Sequence, residues 1–427
     1  MRALLDAVNA GTAVVGVVGL GHAGLPLATA LAKVFRVVGV DVDERRVASI
    51  RRGPRCSPDV EPSRLSSLLE TRQLIVSADH TSLEGVDVVV LALPTPLDVQ
   101  GRPDPSALFV EATRLSPKRG SLVLNVSTSH AGTTRRLAEV FQGRGWCVGT
   151  DLFVACSPER LDPGNERYRL DNTPRLVGGM TEACQAVAAA LCRTFADPVI
   201  QVSSPEIAEA AKLLENSFRA VNLAFVNEFA RGCRNLGIDA REVVAAASTL
   251  PHGFMRFDPG PGVGGHCIPV DPAFWTFAVS ALGGEAPLLE LAQSINAGVP
   301  SALGAVVERA LAHRGASLAG SAILLGGIAY KANVSDCRNS PAEALTEWLE
   351  ARGARDDFED PIVEPGIVWK GRVGVEPDSY ERWDSVILVT DHAVFDYARI
   401  AAEARLVVDS RGAFRRLGLR SDTILEF

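Results

Sequence analysis

The chain has 427 residues, 47% of them hydrophobic and 22% charged, the balance of a soluble globular protein with room for roughly two or three domains. Aromatic residues make up only 6%, so the core has to rest on Ala, Val and Leu, and a net charge of −8 at pH 7 excludes the basic field of a general nucleic-acid binder. No apolar run reaches about 18 residues, which excludes a transmembrane helix, and residues 1–10 lack the apolar centre of a signal peptide, so the expected location is the cytoplasm with no membrane partner.

Residues 12–19 form a valine-rich run that stops at glycine and predict a buried parallel strand. Residues 25–33, rich in Ala and Leu, predict a helix, and 36–40 predict a second strand ending at Asp41, which completes a β-α-β unit. Further buried strands are expected at 86–92 and 122–126, giving an α/β domain with a parallel sheet that runs to about residue 200. From Pro205 to Leu236, Ile207, Ala211, Leu214, Phe218, Val221, Phe225 and Phe229 recur at steps of three or four. This predicts a long amphipathic helix, capped by Ser203 or Ser204, opened by Pro205 and ended by Gly237. Its apolar face is too long for one small domain to cover, so at least a homodimer is expected. Residues 321–327, 385–390 and 406–409 predict the strands of a second, smaller α/β domain, while 356–364, acidic and proline-containing, read as a surface loop.

Gly19-Leu20-Gly21-His22-Ala23-Gly24 is a G-x-G-x-x-G sequence placed between the first strand and its helix. The spacing suits a tight turn at Gly19, close approach of a pyrophosphate at Gly21 and helix–strand packing at Gly24, with phosphate on the helix N-terminus. Asp41, ending the second strand, is placed to accept the ribose hydroxyls and disfavour a 2′-phosphate, so NAD is the expected cofactor. Arg45 and Arg46 follow in the next helix, where solvated charge is the expected state. The eight cysteines include no Cys-x-x-Cys pair and the seven histidines no His-x-x-x-His pair, so reduced thiols and no metal site are expected.

Residues 260–272, GPGVGGHCIPVDP, are the most informative stretch. Four glycines in six residues keep side chains away from Cys267, and a helix opened by Pro272 would leave the thiol near a helix N-terminus, which favours the thiolate. On these residues alone, a reactive cysteine and an inert one in a glycine turn both remain open. Lys212 and Asn216, at i and i+4 on the long helix, share a face. They suit an oxyanion, or are a snorkelling lysine and a polar edge. Glu159, just past an expected strand, lies where ligands meet parallel sheets, or is a plain loop acid.

The cysteine loop and the glycine fingerprint together resemble the UDP-glucose/GDP-mannose dehydrogenase family of nucleotide-sugar 6-dehydrogenases. Further matches follow in order along nearly the whole chain: Gly24-Leu25-Pro26, Pro94-Thr95-Pro96, Ser127-Thr128 before Gly132-Thr133-Thr134, and Ser157-Pro158-Glu159-Arg160 leading to Pro163-Gly164. Lys212 and Asn216 precede Phe218-Arg219-Ala220, and Ala329-Tyr330-Lys331 leads to Asp336, Arg338, Ser340 and Pro341. Val126, His22-Ala23, Val270 and the stretch around Arg256 depart from the family pattern.

The resemblance implies a Rossmann-like NAD-binding domain at 1–200, a central helical dimerisation domain with the cysteine loop at 201–300, and a Rossmann-like nucleotide-sugar-binding domain at 301–427. It implies that Cys267 is the nucleophile, that Lys212, Asn216 and Asp271 are its polar neighbours, and that Thr128 and Glu159 position or activate water. Pro94 and Thr95 join Gly19, Gly21, Gly24 and Asp41 at the cofactor, and Arg338 meets its pyrophosphate. Lys331, Gly264, Gly265 and Arg219 meet the nucleotide sugar.

The expected reaction is an NAD-dependent, four-electron oxidation of the C6 alcohol of a nucleotide-diphosphate hexose to the uronate, through a Cys267 thiohemiacetal and thioester. The expected substrate is a gluco-configured hexose on UDP or TDP, with a UDP-N-acetylhexosamine, which the phrase at 265–272 resembles, as the alternative. Competing readings are a two-electron hydroxyacid-type dehydrogenase with a structural Cys267, and a non-catalytic NAD-binding regulator. Two NADH per substrate separate the first reading from both.

Overall fold

The computed structural model describes residues 1–53, 60–165 and 167–427. The chain divides into two compact units, Met1–Glu215 with Ala273–Gly284, and Asn216–Pro272 with Glu285–Phe427.

In the first unit β1 (Val14–Val18), β2 (Arg36–Val40), β3 (Leu74–Ser77), β4 (Val88–Leu91), β5 (Ser121–Asn125), β6 (Leu152–Cys156), β7 (Arg175–Gly179) and β8 (Val199–Val202) form one sheet. Their order is β3-β2-β1-β4-β5-β6-β7-β8. The first six strands are parallel, and their order is that of a dinucleotide-binding sheet. Alternate residues go to opposite faces: Val15, Val17, Val88, Val90, Leu122 and Leu124 join one core, and Val18, Val89, Leu91, Val123 and Val154 the other. Both cores are covered by helices, which is why the strands read as nearly continuous apolar runs. Contrary to the parallel sheet expected from sequence, the sheet is mixed, because β7 runs antiparallel to β6. The segment joining them holds no helix among its described residues, and without a crossover helix a strand cannot readily return parallel.

In the second unit β9 (Ala322–Gly326), β10 (Arg355–Glu359), β13 (Ser385–Leu388), β14 (Val407–Asp409) and β15 (Ile424–Glu426) form a wholly parallel sheet, ordered β10-β9-β13-β14-β15. A short antiparallel hairpin, β11 (Val368–Trp369) and β12 (Arg372–Val373), lies between β10 and β13 in the chain. Residues 356–364, expected as a surface loop, instead begin in edge strand β10. Asp356 points inward, where Thr346 Oγ1 (3.1 Å) and Arg372 (3.0 Å) donate to it. The acidic composition concealed a strand whose buried carboxylate is paired.

The helix Pro205–Leu236 has the predicted bounds. Its buried side is lined by small residues, among them Ala208, Ala220, Ala224, Ala230 and Cys233. The periodic apolar residues face outward within the single chain: Leu214 is 70% and Phe225 60% exposed, and Ile207, Phe218 and Phe229 are also exposed. Among the described residues, no helix is long and apolar enough to cross a membrane.

Gly178 in β7 marks a close backbone approach between a strand and the start of the long helix. A Cβ there would lie 2.2 Å from the Ser204 carbonyl oxygen and 2.8 Å from Pro205 Cα. Neither atom can rotate away, so Gly178→Ala should destabilise the protein by about 1–3 kcal/mol. Urea unfolding measures it, and an unchanged midpoint would show that the strand does not approach the helix this closely.

Candidate active site

At the carboxyl end of β1, Gly19 has φ +87° and a Cβ there would meet the Ala92 carbonyl oxygen at 2.4 Å. At Gly24 a Cβ would sit 1.8 Å from the Gly19 oxygen, which locks the turn to the following helix, Gly24–Leu31. Gly21 is different: a Cβ there meets nothing within 4 Å. The protein itself therefore needs glycine at 19 and 24, while the space at 21 is open to a ligand. Ala23, before the helix, supplies no side-chain cap to its first amides. Asp41 is engaged with this loop, since Leu20 N–H donates to Oδ2 (2.8 Å) and Asp43 N–H to Oδ1 (3.0 Å). Arg46 is not the solvated charge expected from sequence. It is half-buried, and its Nε–H donates to the Leu20 carbonyl.

The loops after β4, β5 and β6 run side by side. Leu93 N–H donates to Ser127 Oγ (2.9 Å), Thr95 Oγ1–H to the Thr128 carbonyl (2.7 Å), and Glu159 N–H to the Val126 carbonyl (3.0 Å). Thr95 is 2% exposed, so its hydroxyl holds Thr128 in place, while Pro94 is exposed. Glu159 is no plain loop acid. Its Oε1 accepts from the Arg160 and Leu161 amides (2.8 and 2.9 Å), and its Oε2 from Arg175 Nη1 (3.0 Å). Arg175 is itself 2% exposed and also donates to Ser157 Oγ and the Ser157 carbonyl. Burial is the largest influence on the Arg175 pKa and would lower it, but Glu159, Cys192 and Cys156 together raise it above the usual arginine value. A carboxylate gripped on both oxygens suits the fixed acceptor that orients a water.

In the second unit Cys267 is exposed and is the first residue of the helix Cys267–Ser280. Contrary to the expectation from sequence, Pro272 does not open this helix but lies inside it. The start at Cys267 puts the sulfur directly at the positive end of the helix dipole. Asp271, one turn on, is fully buried and accepts from Asn216 Nδ2. Asn216 is 2% exposed and Lys212 7%, so neither is a polar edge or a snorkelling surface group. Arg219, on the same long helix, is exposed.

The glycines before Cys267 answer to packing. A Cβ on Gly265 would lie 2.9 Å from the Tyr330 ring, and one on Gly264 2.9 Å from Tyr330 Cβ, Pro341 Cδ and the Asn339 oxygen. Gly265 N–H donates to the Arg338 carbonyl (3.1 Å), and Asn339 Nδ2–H to the Gly265 carbonyl (3.0 Å). Arg338 is forked onto Asp336, with Nη2 to Oδ2 at 2.7 Å. That bond first, and less strongly the Cys267 sulfur, favour its charged form against the cost of burial. Burial, then the Arg338 charge, holds His266 below the usual histidine range.

Four supporting residues were not singled out from sequence. Arg175 sits in a strand without any motif. Glu209 is an acid three residues before Lys212 on the long helix, the one signal available for it. Asp360 and His392, both fully buried, hold the loop of half-buried Lys331. Asn333 N–H donates to His392 Nδ1 (2.9 Å), so the ring proton is on Nε2 and donates to Asp360 (3.1 Å). Asp360 also accepts from the Ile328 and Ala329 amides. Burial would raise its pKa, but His392 and these amides hold it below the usual carboxylate range.

Comparison with known proteins finds three matching stretches. Residues 13–196 match the NAD binding domain of the UDP-glucose/GDP-mannose dehydrogenase family, 206–298 its central domain and 324–416 its UDP binding domain. The chain belongs to this family. It is 33% identical over 434 residues to the UDP-N-acetyl-D-mannosamine dehydrogenase of Salmonella typhi, covering 94% of this chain and 99% of that one. It is 35% identical over 422 residues to the NDP-N-acetyl-D-galactosaminuronic acid dehydrogenase of Ralstonia nicotianae, covering 93% and 95%. The solved UDP-D-ManNAc dehydrogenase of Pyrococcus horikoshii superposes with a TM-score of 0.86 at 29% identity, covering 97% and 98%.

As in the rest of the UDP-glucose/GDP-mannose dehydrogenase family, the cofactor is NAD. The open space at Gly21 and the uncapped helix start fit its pyrophosphate. Gly21→Ala should therefore leave the melting temperature unchanged and weaken NAD roughly tenfold or more, whereas Gly24→Ala should cost stability as well. Calorimetry of both variants with and without NAD checks this. Equal loss of stability in the two would mean that position 21 is structural.

Proposed function

We propose that this protein oxidises the C6 alcohol of a UDP-N-acetylhexosamine to the uronate in two NAD-dependent steps, with Cys267 as covalent nucleophile. The observation that carries the mechanism is an exposed thiol at the first position of a helix, with a buried Asp271–Asn216 pair one turn along. The gluco-configured hexose put first from sequence gives way to the alternative named with it, because the similar proteins reported above are named for N-acetylated sugars, two for N-acetyl-D-mannosamine on UDP and one for an NDP-N-acetyl-D-galactosaminuronic acid. Residues 1–200 are assigned to the cofactor and 301–427 to the nucleotide, with Lys331, Gly264, Gly265 and Arg219 toward the substrate and Arg338 toward the pyrophosphate.

NAD, when bound, takes up the hydride in each oxidation. The alcohol proton passes to Lys212 or to a water ordered by Asp271. The Cys267 thiolate adds to the resulting aldehyde, and Lys212 and Asn216 hold the oxyanion of the thiohemiacetal. After the second oxidation the sulfur carries a thioester. Water oriented by Thr128 and Glu159 attacks it, the carbon–sulfur bond breaks, and the carboxylate leaves with the thiolate restored. The covalent bond keeps a reactive aldehyde from escaping between the two oxidations.

Wild-type enzyme with a UDP-N-acetylhexosamine should yield two NADH per uronate. Cys267→Ala should make no uronate while still binding NAD, with at most about one NADH per site. Uronate formed at near wild-type rate by that variant would show the cysteine to be structural. Faster turnover of UDP-glucose than of every N-acetylhexosamine tested would reverse the substrate assignment.

The outward stripe of Ile207, Leu214, Phe218, Phe225 and Phe229 supports a homodimer that covers it with a second copy. Light scattering should give a dimer or larger at micromolar concentration, and Phe225→Asp should shift it toward monomer. A wild-type monomer would overturn this assignment.

A further inference from the structure

Glu209 has no part in the chemistry above, yet it is 1% exposed and surrounded by donors. Its Oε2 accepts from the Gly132 amide (2.8 Å). Its Oε1 accepts from the Thr134 amide (2.8 Å), Thr134 Oγ1 (2.7 Å) and Ser129 Oγ (3.4 Å). Two of the four donors belong to the turn after β5 and two to Thr134 in the first turn of the helix Thr133–Gly143, whose N-cap residue, Gly132, offers no capping side chain. Glu209 thus caps that helix from another part of the chain. The bonds continue on the far side of the turn. Asn125 Nδ2–H donates to Thr134 Oγ1 (3.1 Å), Ser127 N–H to Asn125 Oδ1 (3.1 Å), and Thr95 Oγ1–H to the Thr128 carbonyl. Thr128 is therefore fixed from both directions by one buried network, and Glu209 is its attachment to the long helix.

A buried carboxylate is a costly way to fill space, since an apolar side chain would pack there without desolvating a charge. We propose that Glu209 is a positioning residue that clamps the 127–134 loop to the long helix and so sets Thr128 relative to Lys212, one turn further along. The proposal rests on the reading of Thr128 and Lys212 as active-site groups.

The clamp has a protonation state to lose. Burial pushes the Glu209 carboxyl up to about 7, against the hydrogen bonds from Thr134 and Gly132, with Glu206 adding to the rise. The titratable groups facing it are Glu206, itself paired with Arg135 (2.6 Å), and Cys156 of β6, whose thiol burial drives well up. A proton on either Glu209 oxygen sets an O–H against an amide N–H. The ionised form therefore holds the loop, and the clamp loosens as pH falls through about 7.

The test measures kcat and KM against pH for wild type, Glu209→Gln, Thr134→Val and Thr134→Ser. Glu209→Gln and Thr134→Val should lose kcat roughly tenfold or more with KM for NAD nearly unchanged, as a small misplacement of a reacting group does. Thr134→Ser, which keeps the hydroxyl, should restore it. The wild-type fall in kcat below about pH 7 should be missing in Glu209→Gln. Adding Glu209→Gln to Thr128→Ala should cost nothing further, because the two act through one element. If Glu209→Gln fails to fold, the Thr134 pair and the cycle built on it carry the same comparison. A wild-type kcat in Thr128→Ala would sink the catalytic reading of Thr128 and remove the clamp's target. A crippled Thr128→Ala beside a wild-type-like Glu209→Gln and Thr134→Val, or strictly additive losses, would overturn the clamp alone.

Discussion

A carboxylate inside a protein has to be surrounded by donors, and in this chain the donors are mostly the amides of loops. Asp41 takes the Leu20 amide of the glycine turn, Glu159 takes two amides of its own loop, and Glu209 takes those of Gly132 and Thr134. In the second unit Asp360 takes Ile328 and Ala329, and Asp409 takes Arg411, Gly412 and Phe414. Most of these acids stand at or just past the carboxyl ends of parallel strands, where ligands of open α/β sheets bind. The same electrostatic requirement that makes such an acid costly to bury makes the loop around it rigid.

The cysteine loop shows a different constraint. Its glycines answer to backbone approach, since Tyr330, Asn339 and Pro341 leave no room for a Cβ at Gly264 or Gly265. The residues flanking Cys267 are thereby tied to the stretch that also carries Lys331 and Arg338. A change in that stretch would therefore be felt at the loop that leads into Cys267. A sulfur at a helix start is favoured as thiolate by the helix dipole, and Asp271, one turn on, accepts from the Asn216 amide.

The supporting residues differ in setting from those they support. Arg175, Glu209 and His392 are buried and hydrogen-bonded to protein partners, while Thr128, Glu159 and Lys331 are partly exposed. Groups proposed to meet substrate or water at the surface have to be reachable, and buried supports are shielded from water and so hold direction.

The sequence by itself determined the local elements and the kind of chemistry. Valine runs stopping at glycine, the bounds Pro205–Leu236, the glycine fingerprint and the cysteine phrase are short-range patterns, set by backbone sterics and side-chain period. Tertiary structure alone decided what depends on residues far apart in the chain. Strand β10 was hidden because Asp356 is neutralised by Arg372 of the hairpin, and the outward direction of Phe225 and Phe229 depends on which helix face the small residues occupy. The reversal at β7 has no local signature. Arg175, Asp360 and His392 could not be found by spacing, and Glu209 is visible only as an acid on an apolar helix, because the partners that give them meaning are supplied by loops up to about 80 residues away. Local patterns fix conformation, but a buried charge is defined by whatever the fold brings against it.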